Sequence, residues 1–123
     1  MKMLLSINPP HVENILNGTK RYEFRKVRSR RQVNRILIYS TAPVGMIVGE
    51  VEVVATLQGS PEEVWGLTAE FAGVTREFFD EYFQGRDTAV AYELGGVEVY
   101  IQPKSLLELG VVNAPQSFTY VTS

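Results

Sequence analysis

Eight of the chain's twelve lysines and arginines fall within sixteen residues, Lys20 to Arg35. The formal net charge of -2 conceals this block. Between Gly18 and Arg35 the single carboxylate is Glu23, so the segment carries +7, while thirteen acidic and four basic side chains leave the rest at -9. A split that sharp constrains the fold before any periodicity is read, because cations at that density belong on one face. That face either meets a polyanion or is a solvated, salt-laced β-hairpin. Both readings are open at this level.

The chain has 123 residues and reads as one domain over 1–123. That length buries roughly two-thirds of the surface an unfolded chain exposes, so no covalent staple is needed. Without cysteine, a disulfide scaffold, a thiolate nucleophile and a zinc–thiolate site are excluded. His11 is the only histidine, which argues against an imidazole-built metal site and excludes a two-histidine ribonuclease mechanism. No metal and no cofactor is expected. The apolar start, Met1 to Ile7, is too short for a signal peptide or a membrane span. The expectation is a soluble, cytoplasmic protein; nothing in the sequence speaks to its oligomeric state.

Met3 to Ile7 reads as a short buried strand. Asn8 and Pro9 open a helix of about nine residues, with Val12, Ile15 and Leu16 on its apolar face and Gly18 as its left-handed cap. From Tyr22 the pattern alternates, with Tyr22 and Phe24 on one face and Glu23 and Arg25 on the other. Arg28 to Gln32 has no apolar residue and reads as a loop. Val33–Tyr39 and Met46–Leu57 read as strands, with Ser40–Pro43 as the turn between them. Ser60-Pro61-Glu62-Glu63 is a capping box, opening a helix that buries Val64, Leu67, Thr68 and Phe71. Thr75 caps a third helix carrying Phe78, Phe79, Tyr82 and Phe83, which together with Trp65 are assigned to the core. Thr88–Leu94 is expected to turn at Gly95-Gly96 into Val97–Ile101, and a last strand falls at Phe118–Val121. Strands at both ends with helices between them suit an α+β domain: a small, mostly antiparallel barrel with flanking helices.

Gly18, Lys20, Glu23 and Arg25 spell G-x-K-x-x-E-x-R between a helix and a strand. This motif resembles the hallmark of the ASCH family, whose fold is similar to the PUA domain. The chain also resembles a branch of small stand-alone archaeal and bacterial members. The resemblance to that branch lies in Leu37 to Pro43, Gly49-Glu50, the Ser-Pro-Glu-Glu helix and Pro115-Gln116-Ser117-Phe118. The resemblance implies a PUA-like barrel and a cleft beside the motif that holds RNA or a nucleotide, with a role in RNA metabolism or regulation. Some members look like ribonucleases. A bacterial relative class hydrolyses the acetyl amide of N4-acetylcytidine with the motif lysine, a threonine three positions later and a distant glutamate. The lysine matches Lys20, but Glu23 occupies the threonine position, so that hydroxyl is missing here.

Read residue by residue, Lys20 is expected at the barrel rim. A desolvated Lys20 beside Arg21 and Arg25 has its amine form favoured and serves as a base; an exposed one is a phosphate ligand. Glu23 either pairs with Arg25 or Arg21, or acts as a general base toward a 2′-hydroxyl or a water. Arg25 offers a bidentate fork for phosphate or for a carboxylate. Lys26, Arg28, Arg30, Arg31 and Arg35 read as backbone contacts. Tyr39, Ser40 and Thr41 end a strand, where a ring stacks on a base and hydroxyls donate to phosphate. Gln116 and Ser117 either complete the cleft wall or simply turn into the last strand. Three functions compete: a module binding RNA or a nucleotide-like anion, a hydrolase on RNA or a modified nucleoside using Lys20 and Glu23, and a regulator that binds a small anionic metabolite.

Overall fold

The computed structural model describes residues 1–121. Six strands form one sheet: β1 (Lys2–Ile7), β2 (Tyr22–Arg25), β3 (Arg35–Ser40), β4 (Met46–Gly59), β5 (Ala89–Lys104) and β6 (Phe118–Val121). Their spatial order is β2-β5-β4-β3-β1-β6. Only β1 and β3 run parallel, Leu4 opposite Leu37; the other four pairings are antiparallel. The sheet curls into a half-barrel, and its two edges are tied to each other. The Arg25 guanidinium on β2 donates to the Ser6 carbonyl oxygen on β1 at 3.0 Å, and reaches Ser117 Oγ beside β6 at 3.4 Å. The architecture is the expected α+β one, mostly antiparallel with flanking helices, and the barrel takes the form of a half-barrel with three α-helices.

The apolar pattern explains the layers. Met3, Leu5, Ile36 and Ile38 point into the curl with Val51, Val90 and Tyr92, where α1 (Pro9–Leu16) seals one opening with Val12 and Ile15. Leu4, Leu37, Ile47 and Val121 face outward and are covered by Leu106, Leu109 and Val111. Two covered faces account for the continuous apolar runs in β1 and β3. The other opening is closed by α2 (Pro61–Thr68) and α3 (Arg76–Tyr82): Val64, Phe79 and the α3 C-cap Phe83 pack on Phe24 of β2 and on Ala89 and Ala91 of β5. Phe24 meets the Phe79 ring edge-on at 5.1 Å between centroids.

Both predicted caps on the later helices form: Ser60 Oγ accepts from the Glu63 amide while Glu63 accepts from the Ser60 amide, and Thr75 Oγ1 accepts from the Phe78 amide. Three local expectations are corrected. Asn8 stands at the N-cap of α1 with extended backbone, yet its side chain makes no cap and instead accepts from Thr41 Oγ1. Gly95-Gly96 is not a turn: β5 runs on as one 16-residue strand because β4 accompanies it, and register shifts around Val53 absorb the glycines as an irregularity. Leu67 and Phe71 are exposed, whereas Val64 and Thr68 are buried. The α-helix stops at Thr68 and becomes a 3-10 turn over Ala69–Phe71, whose tighter period rotates Phe71 off the apolar stripe. No helix among the described residues is long and apolar enough to cross a membrane.

The capping box holds the start of α2 against the barrel. Ser60→Ala is expected to lower unfolding free energy by about 1 kcal/mol, read as a shift of the urea midpoint with an unchanged slope; no shift would mean that Pro61 alone sets the helix start.

Candidate functional site

Where α1 gives way to β2, Gly18 takes a left-handed backbone with φ +85° and turns the chain out of the helix. The Lys20 amide then donates to the Asn14 carbonyl at 2.9 Å. Because β2 begins only at Tyr22, Lys20 escapes the strand's alternation and shares a cavity with Glu23 and Arg25. In a continuous strand it would have pointed to the opposite face.

The cavity measures 310 Å³, the low end of the size range for small-molecule sites. Its walls come from the β1–α1 junction (Ser6, Ile7, Asn8, His11), from the motif, from α3 and from Gln116. Phe24, Phe78, Phe79 and Tyr82 make it aromatic on one side. The His11 ring meets Phe78 edge-on at 5.2 Å.

Lys20 is 3% exposed, not a rim residue. Its Nζ donates to the Ala72 carbonyl at 2.8 Å and lies 4.9 Å from the Phe24 ring centroid. Burial depresses its pKa; the Glu23 carboxylate opposes that shift and Arg25 adds to it. Glu23 Oε2 accepts from Arg25 Nη2 at 2.9 Å, and both side chains are largely buried. Glu23 Oε1 has no hydrogen-bond donor among the described residues. Arg25 is thus engaged by Glu23, Ser6 and Ser117, and its buried Nε has no partner among the described residues. His11 titrates below its ordinary value because it is partly buried and faces the Lys20 charge. Burial also raises the Tyr82 phenol, which Arg25 opposes.

The basic loop builds a different concavity. Arg28, Arg30 and Arg31, with Thr56 and Val54 of β4, line a groove of 580 Å³ that shares no lining residue with the first. The loop is pinned through its backbone: the Ser29 amide donates to the Tyr92 hydroxyl, and the Arg30 and Arg31 amides donate to that of Tyr120. Lys26 stands between the two concavities in sequence, its Nζ 4.7 Å from the Tyr82 ring. Arg35 lies in neither and pairs with Glu50. Tyr39, Ser40 and Thr41 line neither concavity: Tyr39 packs in the outer apolar cluster, Ser40 is buried on β3, and Thr41 meets the cavity wall through Asn8 and the Ile7 carbonyl.

Several wall residues escaped the sequence reading. Phe78 and Phe79 are neighbours on one short helix, about 100° apart around its axis, so they cannot both face one core. Phe79 is buried and Phe78 turns to the cavity. His11 stood off the apolar face of α1, the one available hint that it looks toward something else.

An ASCH domain family model matches residues 5–98, and the chain belongs to the ASCH domain family. It is 29% identical over 123 residues to an ASCH domain-containing ribonuclease of Zymomonas mobilis, covering 96% of this chain and 82% of that protein. The crystal structure of ASCH from Zymomonas mobilis matches with a TM-score of 0.89 at 28% identity, over 98% of this chain and 87% of that one. Large ribosomal subunit protein uL22 of Ureaplasma parvum is 25% identical over 120 residues; the match covers 97% of this chain, which spans only 39% of that relative's length.

The buried ammonium has a pH signature. The folded pKa of Lys20 lies below its ordinary 10.5, so the unfolded chain binds more protons between the two values. Stability therefore rises with pH through that interval and levels off above it. Urea unfolding of the wild type and of Lys20→Met, compared from neutral pH to 10.5, should show the wild type gaining on the variant as pH rises. The paired comparison isolates the lysine, since a raised Tyr82 pKa acts in the opposite direction in both proteins. A constant difference would mean that Lys20 titrates normally.

Proposed function

We propose that the protein binds RNA or a nucleotide, with a nucleoside-sized group in the motif cavity, and acts in RNA metabolism or regulation. The observation that carries this reading is the convergence of Lys20 and Glu23 on one small cavity with aromatic walls. Lys20 Nζ keeps donors beyond the one given to Ala72, and Glu23 Oε1 is an acceptor. A nucleobase edge presents the complementary pair, and Phe78, Tyr82 and His11 suit its flat face. Arg25 serves this site as the group that orients Glu23, with its Nη1 and Nη2 donating to protein oxygens. Arg28, Arg30 and Arg31 would take phosphates along their groove, with Lys26 between the two places. Tyr39, Ser40 and Thr41, offered by the sequence as ligand contacts, would act from behind the site, Thr41 by holding Asn8.

The salt dependence of binding tests the phosphate path. Replacing Arg28, Arg30 and Arg31 together by alanine should reduce the log–log salt slope for single-stranded RNA by about 2, at roughly 0.7 per phosphate. Fluorescence titration over a salt series measures it. An unchanged affinity and slope would reduce the loop to a solvated face.

A second reading, a hydrolase on RNA or a modified nucleoside, is favoured by the buried amine beside a carboxylate and by the ribonuclease relative. In it Lys20 or Glu23 takes a proton from a 2′-hydroxyl or a water. Lys20→Ala and Glu23→Gln should then lower turnover on the order of a hundredfold or more, assayed on short RNAs and acylated nucleosides. Wild-type rates in both variants would end this reading and leave the binding function standing.

A further inference from the structure

Within the motif the Phe24 ring lies 4.9 Å from Lys20 Nζ, but the acceptor of that ammonium's hydrogen bond, Ala72, comes from outside it. We infer that the stretch Phe71 to Gly73, between α2 and α3, is the seat that keeps Lys20 in the cavity, and that Gly73 is its positioning residue. The inference rests on the reading that Lys20 is the working cation of the cavity.

Three contacts converge on this stretch. The Arg21 amide donates to the Phe71 carbonyl at 2.9 Å, which docks the start of the motif on the turn. One residue on, the Ala72 carbonyl accepts from Lys20 Nζ at 2.8 Å, across 52 residues of sequence. One residue further, Gly73 lies against the aliphatic stem. A Cβ built there would stand 2.9 Å from Lys20 Cδ and closer still to its Cβ and Cγ, distances that real Cβ atoms do not adopt. Gly73 also has φ +71°, so its backbone already disfavours any side chain.

The arrangement answers a physical problem. A lysine whose ammonium is removed from water needs a fixed acceptor for the head and tight packing for the stem; otherwise the chain extends and the head returns to solvent. Ala72 supplies the first and Gly73 allows the second. Because the missing Cβ is the space the stem occupies, any side chain at 73 evicts it and the cavity loses its cation. The stretch lies far from G-x-K-x-x-E-x-R in sequence and has no functional group of its own, so motif reading passes over it.

Gly85 provides an internal control. Its φ of +76° matches that of Gly73, but nothing lies within 4 Å of the Cβ that an alanine would add. Gly85→Ala therefore carries the left-handed strain alone, and Gly73→Ala carries strain plus eviction. Four variants decide the matter: Gly73→Ala, Gly85→Ala, Lys20→Gly, and Lys20→Gly with Gly73→Ala. The urea midpoint of Gly73→Ala should fall further than that of Gly85→Ala. In the Lys20→Gly background, where the stem is gone together with its Cβ, the Gly73→Ala shift should shrink to the size of the Gly85→Ala shift. The Lys20 amine, followed by NMR at its ε-methylene, should move up toward 10.5 in Gly73→Ala and stay at its wild-type value in Gly85→Ala.

Equal Gly73→Ala shifts in both backgrounds, or an unmoved Lys20 titration, would overturn the seat. If Gly73→Ala alone does not fold, the double variant must fold, because the lysine that clashes has been removed; its failure would also overturn the proposal. None of these readouts contains a nucleotide, so they judge the seat independently of whether RNA or nucleotide binding is found.

Discussion

The guanidinium of Arg25 sits where the curled sheet would otherwise remain open. Strands β2 and β6 are the two edges of the sheet, and no ladder joins them among the described residues. Arg25 spans the gap, reaching Ser6 on β1 and Ser117 at the approach to β6, while Glu23 two residues earlier neutralises it. Two largely buried charges are tolerable only as a pair with further hydrogen bonds, since an isolated one would cost several kcal/mol. The backbone amides of Arg30 and Arg31 on Tyr120 add a second tie across the same seam. The cavity exists because this seam is closed by side chains and not by strands: a ladder there would leave no void between β1, α1 and β2.

That geometry divides the basic block by environment. Lys20 and Arg25 turn inward and are held by carbonyls, a carboxylate and an aromatic ring. Arg28, Arg30 and Arg31 turn outward, their side chains exposed while tyrosine hydroxyls hold the loop's backbone. The first pair is largely buried, where each hydrogen bond counts for more. The second group acts through charge at the surface, where salt screens it. In the proposed function the first would recognise a group and the second would gather a polyanion.

What could be read from the sequence was local. Ser60 and Thr75 announced their helices because a cap needs only its own next three residues. The alternation of Glu23 and Phe24, and the left-handed glycine after α1, were likewise legible within a few residues. The resemblance carried by Gly18, Lys20, Glu23 and Arg25 pointed to the family, and the half-barrel followed. Errors fell where a neighbour decided the outcome. Gly95-Gly96 stays in a strand because β4 lies beside it, and Asn8 leaves its cap because Thr41 offers a hydroxyl.

The cavity belonged largely to the second kind, although Gln116 was among the residues offered for its wall. Lys20, His11, Phe78 and Gln116 come from four separate stretches, and no period links them. By itself, the sequence determined the order of elements, the helix starts, the apolar faces and the placing of eight cations in one block, because propensity, capping and amphipathic spacing are short-range forces. Only the tertiary structure decided that Lys20 is buried against Ala72 and Gly73, that Arg25 closes a seam, and that the basic loop forms a separate groove. Those outcomes depend on which surfaces remain after the sheet has curled and the helices have docked, and packing across fifty or a hundred residues leaves no local trace in the chain.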